Sequence, residues 1–132
     1  MGEVPLADEK DVNRAVKAAK NAFPDWSSMP IRERAGYLIS LADRLMDNRD
    51  ELGMTDCVDS GNALSGMKGD VNWSSDSLKF FENLITEIKG QTHSEKSGHL
   101  NFTRRQPYGV VAKINPFNNP LRFCAEKSAS AL

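Results

Sequence analysis

The first two thirds of the chain repeat apolar residues at helical spacing. Val12, Ala15, Val16, Ala19, Ala22 and Phe23 fall three and four apart, which predicts a helix capped by Asp8 and ended by Pro24. A second helix opens near Pro30, where a missing N–H costs nothing, and carries the stripe Ile31, Ala35, Leu38, Ile39, Ala42, Leu45 and Met46. Arg32, Glu33, Arg34, Asp43 and Arg44 face elsewhere, as on an amphipathic helix docked on a core. A shorter helix over about 49–58 ends at "DSGN", where Gly61 can take the left-handed cap conformation. A fourth holds Val71, Ser74, Leu78, Phe81, Leu84, Ile85 and Ile88 and stops at Lys89-Gly90, with a cation suited to the helix dipole.

After Gly90 the period shortens. In "SGHLNFTRRQPYG" Leu100 and Phe102 alternate with polar neighbours, as in a half-exposed strand, and Pro107 favours an extended chain before it. "GVVAKI" reads as a strand of the kind buried in a parallel sheet, and "LRFCAEKSASAL" as a helix with Leu121, Cys124, Ala125, Ser128 and Leu132 on one side. The pattern is α/β: N-terminal helices, an extended β arm, then the strand–loop–helix that opens a βαβ unit. A lone parallel-type strand has no second strand to pair with, so Val110 to Ile114 would expose its ladder on both edges. Such a strand joins a sheet supplied elsewhere, or the chain is a piece of something longer.

Composition narrows the function classes. The 132 residues suffice for one ordinary domain, with 39% hydrophobic and 27% charged residues. Seventeen basic against eighteen acidic side chains give a net charge of −1, too balanced for a face that neutralises a run of phosphates, so nucleic acid is not an expected partner. No apolar run approaches a bilayer span, and the acidic N-terminus lacks a hydrophobic signal core; a cytoplasmic protein with no membrane partner is expected. Cys57 and Cys124 read as reduced thiols, and with His93 and His99 they show none of the short spacings of a zinc site, so no metal is expected. The glycines of "DSGNALSG" are a weak match to a phosphate site, because glycines so placed also end helices.

The candidate chemistry lies in "INPFNNPLRF". Pro116 and Pro120 bracket Phe117, Asn118 and Asn119 at the carboxyl end of the predicted strand, where ligands collect in open α/β sheets. Prolines lower the cost of ordering the loop, and an Asn amide offers two N–H donors. A rigid donor aimed at a developing oxyanion is worth about 3 kcal/mol in a transition state. Spacing alone favours Asn118 or Asn119 capping the next helix or closing an Asx-turn, and Asn119 suits capping well because Pro120 would then take the first helical position.

"QPYGVVAKINPFNNPLRFCAEKSASAL" resembles the P-x-G-V-V-x-x-I-x-P-[WF]-N-x-P-L stretch of the NAD(P)-dependent aldehyde dehydrogenase superfamily. "DVNRAVKAAKNAFPDW" and "IRERAGYLISLADRLMDNRDEL" resemble that family's first two helices, "DSGN" the turn after the third, and "LNFTRRQPYGVV" the strand leading into its cofactor domain. The resemblance implies oxidation of an aldehyde to a carboxylic acid with NAD or NADP through a cysteine thiohemiacetal. It implies that residues 1–89 are the helical segment of the cofactor-binding domain, 90–107 an oligomerisation-type β arm, and 108–132 the first βα unit of a Rossmann-like domain.

By the same resemblance Asn118 is the catalytic amide that holds the oxyanion. Asn115, Pro116 and Phe117 line the nicotinamide-ribose part of the cofactor site, and Lys127 is structural. A small-molecule aldehyde and a homo-oligomer are the implied partners. The family's nucleophilic cysteine, glutamate base and glycine-containing pyrophosphate turn match no residue here. Cys124 falls inside the last predicted helix and reads as a small buried residue, Cys57 as an inert one, and Glu126 as a solvated helix charge. Ser130 departs from a proline common in the family. The chain alone is therefore expected to be inactive, as an N-terminal part of such an enzyme. The contrasting reading is a non-catalytic helical module that docks its C-terminal strand on a partner's sheet.

Overall fold

A computed structural model describes residues 3–94 and 96–132. Five α-helices make up most of it: α1 (Glu9–Ser28), α2 (Ile31–Asp47), α3 (Arg49–Ser60), α4 (Leu64–Leu84) and α5 (Pro120–Ala129), with a 3₁₀ turn over Ile85–Glu87. Between α4 and α5, β1 (Thr92–Ser94) and β2 (Leu100–Phe102) form an antiparallel hairpin in which His93 faces Asn101.

The core forms where α4 packs against α2, α3 and α5. Leu38, Ala42, Leu45, Val71, Leu78, Ala125 and Ala129 form one buried cluster, with Leu52, Phe81 and Leu121 packed on its rim. Three of the seven are alanines, so the helices approach closely and the large side chains Leu78 and Val71 fill the centre without exposure. The second helix buries Ala35, Leu38, Ala42 and Leu45 of its predicted stripe, while Ile31 and Met46 lie at its exposed edges.

Caps explain the helix ends. Asp8 accepts from the backbone N–H groups of Lys10 and Asp11, and Asp11 accepts from Asp8 N–H in return, a capping box. Gly61 ends α3 at φ 75°, a conformation that costs glycine nothing. Gly90 opens the hairpin because any Cβ there would lie 2.0 Å from the Thr103 carbonyl oxygen; Thr103 N–H donates to Gln91 across the same gap.

Three expectations need correction. Pro24 does not end α1; the helix runs through it to Ser28. The carbonyl that loses its donor belongs to Lys20 on an exposed stretch, where water can take the place of the bond, and the extra turn sets Trp26 5.8 Å from Tyr37. Val110 to Ile114 make no strand ladder among the described residues; without a neighbouring strand the segment is pinned to α5 instead. Lys127 Nζ donates to the Ile114 carbonyl at 2.7 Å, and Lys113 Nζ to Ser130 Oγ at 3.1 Å. Cys124 is exposed rather than buried, because Ala125 and Ala129 supply the core face of α5.

Candidate functional site

The loop from Asn115 to Asn119 sits between the pinned segment and α5. Asn115, Pro116, Phe117 and Asn118 are all exposed, Phe117 to 89%. The loop and the first turn of α5 are nevertheless anchored at three points by the α3–α4 layer. Asn62, in the turn after α3, donates its Nδ2–H to the Asn118 carbonyl at 2.8 Å. Asn119 donates its side-chain N–H to Asp70 of α4. Leu121 N–H, in the first turn of α5, donates to Asp56 Oδ2 of α3 at 3.4 Å.

These contacts divide the two asparagines. Asn119 does stand at the N-cap of α5 with Pro120 behind it, and its carbonyl takes the Phe123 N–H at 3.1 Å. Its side chain makes no cap bond; the capping carboxylate comes from Asp56 on another helix. The Asn118 amide donates one N–H to Asn119 Oδ1 at 2.8 Å, and its other N–H meets no acceptor among the described residues. It is not tied down by main-chain atoms.

Asp56 and Asp70 are the buried charges of this region, each 9% exposed. Burial pushes the Asp56 carboxyl above the ordinary carboxylate range; the Leu121 N–H opposes this, while Asp70 and Asp59 add to it by repulsion. Asp70 is paired with Arg122 at 3.6 Å, and that guanidinium lies 4.7 Å over the ring of Trp73. None of Asp56, Asn62 and Asp70 was singled out from the sequence. Asp70 carried a signal: with Ser74 it interrupts the apolar face Met67, Val71, Leu78 at helical spacing, as a buried polar group with a partner would.

Chemically, the loop offers one uncommitted amide donor, an exposed aromatic ring, and backbone groups of residues 115–117 with no protein partner among the described residues. A cleft of about 490 Å³ lies elsewhere, lined by Trp26, Arg34, Tyr108, Val111 and Ser130, and shares no residue with the loop. The amide therefore faces open surface here.

The family model for aldehyde dehydrogenases matches residues 1–132. The chain belongs to the aldehyde dehydrogenase family. It is 36% identical over 137 aligned residues to human mitochondrial 10-formyltetrahydrofolate dehydrogenase, covering 98% of this chain and 15% of that protein. Among solved structures it resembles PnpE in complex with nicotinamide adenine dinucleotide, with a TM-score of 0.87 and 36% identity over 91% of this chain and 25% of the other. It also resembles an NAD-dependent aldehyde dehydrogenase from Sinorhizobium meliloti, with a TM-score of 0.91 and 28% identity over 96% of this chain and 26% of the other. This aldehyde dehydrogenase chain thus spans about a quarter or less of the relatives it matches. The α/β architecture is that of the matched region, and a non-catalytic docking module is not favoured. No helix among the described residues is long and apolar enough to cross a membrane.

Proposed function

We propose that these residues act as part of an NAD(P)-dependent aldehyde dehydrogenase in which the Asn118 side chain stabilises negative charge on the substrate oxygen. The observation that carries this reading is the Asn118 amide itself. The Asn118 backbone carbonyl is held by Asn62, one side-chain N–H is satisfied by Asn119, and the other is left to donate outward from a loop stiffened by two prolines. A preformed donor pays no reorganisation at the moment of reaction.

In this reading the thiolate that attacks the aldehyde and the base that activates water come from outside these residues. Asn115, Pro116 and Phe117 hold the nicotinamide-ribose end of NAD or NADP, with Phe117 offering its ring. The bound nicotinamide supplies the hydride acceptor. Residues 1–89 brace the loop, 90–107 serve as an oligomerisation arm of a homo-oligomer, and 108–132 form the first βα unit of the cofactor domain. The cytoplasm is the proposed location, and a small aldehyde the substrate.

The test is Asn118→Ala in the full enzyme. Loss of one oxyanion donor lowers kcat about 100- to 1,000-fold with little change in the KM for aldehyde. An unchanged kcat refutes the assignment. The 132-residue chain alone is expected to turn over no aldehyde with either NAD or NADP, and turnover by the pure chain contradicts the division of labour proposed here.

A further inference from the structure

Asn118, Asn119 and Asp70 form a chain of side chains running from the exposed loop into the helical layer. We infer that Asp70 is a positioning residue for Asn118: through Asn119 it dictates which end of the Asn118 amide faces the substrate. The inference rests on the oxyanion role proposed for Asn118 and adds to it the residues that aim it.

Donor and acceptor capacity fixes the direction of each link. Asp70 is ion-paired with Arg122 and is an acceptor only. Asn119 must therefore turn its NH₂ group toward Asp70, as it does. Its carbonyl oxygen then faces the other way, where it can only accept. Asn118 must present its nitrogen to that oxygen, which it does at 2.8 Å. An amide side chain is nearly symmetrical in shape, so packing alone would not choose between its two flips; a fixed negative charge two links away does. Asp70 is 9% exposed, so water does not readily replace it as the polarity-setting end of the chain.

Asn119 has no competing duty that would explain its side chain. It occupies the N-cap of α5 without making a cap bond, and the cap is supplied by Asp56. Asp70→Asn keeps shape and volume but lets position 70 donate as well as accept. The relay can then run backwards, turning the Asn118 oxygen to where its nitrogen had been.

The experiment is a double-mutant cycle on kcat in the full enzyme, using Asp70→Asn and, in case that variant folds poorly, Asn119→Ala. Each is expected to lower kcat about 10- to 100-fold with little change in KM, the scale of a misplaced catalytic group. In an Asn118→Ala background each is expected to cost nothing further, because there is no amide left to aim. A purely structural role would carry its full factor into that background, and this result overturns the relay. An unchanged kcat in Asp70→Asn and Asn119→Ala, with Asn118→Ala impaired, also overturns the relay while leaving the role of Asn118 intact. An unchanged kcat in Asn118→Ala overturns both.

Discussion

Arg122 ties the candidate loop to the core, and its removal has a cost that can be worked from its contacts. Its guanidinium is 3.6 Å from Asp70 Oδ1 and 4.7 Å over Trp73. The Arg122 side chain is 34% exposed and that of Asp70 12%, so the pair lies between a surface bridge worth about 0–1 kcal/mol and a buried one whose breakage costs about 3–5 kcal/mol. About 2 kcal/mol is the reasonable middle. Trp73 is 50% exposed, so the cation–π contact adds about 0.5–1 kcal/mol. Against this stands a cost already present: Arg122 Nε is buried without a partner among the described residues, a penalty of about 1–3 kcal/mol that a hydrocarbon would not incur.

Arg122→Met keeps the stem and removes charge, ring contact and orphan together. The gain and the penalty then leave a net destabilisation of about 1 kcal/mol, because Asp70 keeps only the Asn119 amide. Arg122→Ala, which also loses the packed stem, is expected to cost about 2–3 kcal/mol. Urea unfolding followed by Trp73 fluorescence, with Trp26→Phe as the reference background, reads both. If Arg122→Met is more stable than the reference, desolvation outweighs the pair and the reasoning about Asp70 as a charge held in place by Arg122 is wrong.

Other outcomes follow from single contacts. Leu78→Ala, at a fully buried position in the central cluster, is expected to cost about 2–5 kcal/mol in the same unfolding assay. Ser75→Ala is expected to stabilise by about 1 kcal/mol, since the Ser75 hydroxyl is buried in mid-helix with no partner among the described residues; a lower midpoint would show that something else satisfies it. Gly90→Ala puts a methyl group into the Thr103 carbonyl and should abolish hydrogen-exchange protection of the Thr103 N–H without unfolding the helical core. Asp56→Asn can still accept from Leu121 N–H but sheds the charge that burial disfavours. The raised carboxyl pKa means the folded state holds its proton to higher pH than the unfolded state. Folding is therefore penalised by ionisation at neutral pH and not below the ordinary value of about 3.9. Asp56→Asn should raise Tm at pH 7 and leave it unchanged near pH 3; the opposite order would reverse the sign of the argument.

Helices were legible because burial imposes a period. The buried set Ala35, Leu38, Ala42 and Leu45 is the centre of the stripe read from the sequence, and Gly61 and Asp8 cap where their chemistry suits them. What failed were inferences about single residues whose fate depends on distant chain. Pro24 lies inside a helix because its exposed surroundings tolerate a missing bond and Trp26 finds Tyr37. Val110 to Ile114 read as strand by composition, yet a strand is a property of two segments, and no second one pairs with it among the described residues. Cys124 lost the core face of α5 to alanines one and five positions later, a rotation that helical spacing resolves poorly over ten residues.

The candidate loop divides along the same line. Its prolines, its amides and the N-terminal start of α5 at Pro120 are local and could be read directly. The carboxylates that anchor it could not, and the reason is combinatorial. An aspartate interrupting an apolar face, as Asp70 does beside Val71 and Ser74, announces that some partner must reach it. It does not say which, because seventeen cationic side chains and every free amide in the chain are eligible. Only the packing of α5 across α4 brings Arg122 and Asn119 to that carboxylate. In the relay inferred above, the Asn118 amide takes its aim from the tertiary contact between those helices, so a loop read from local sequence depends on a carboxylate that only the packing of α4 and α5 identifies.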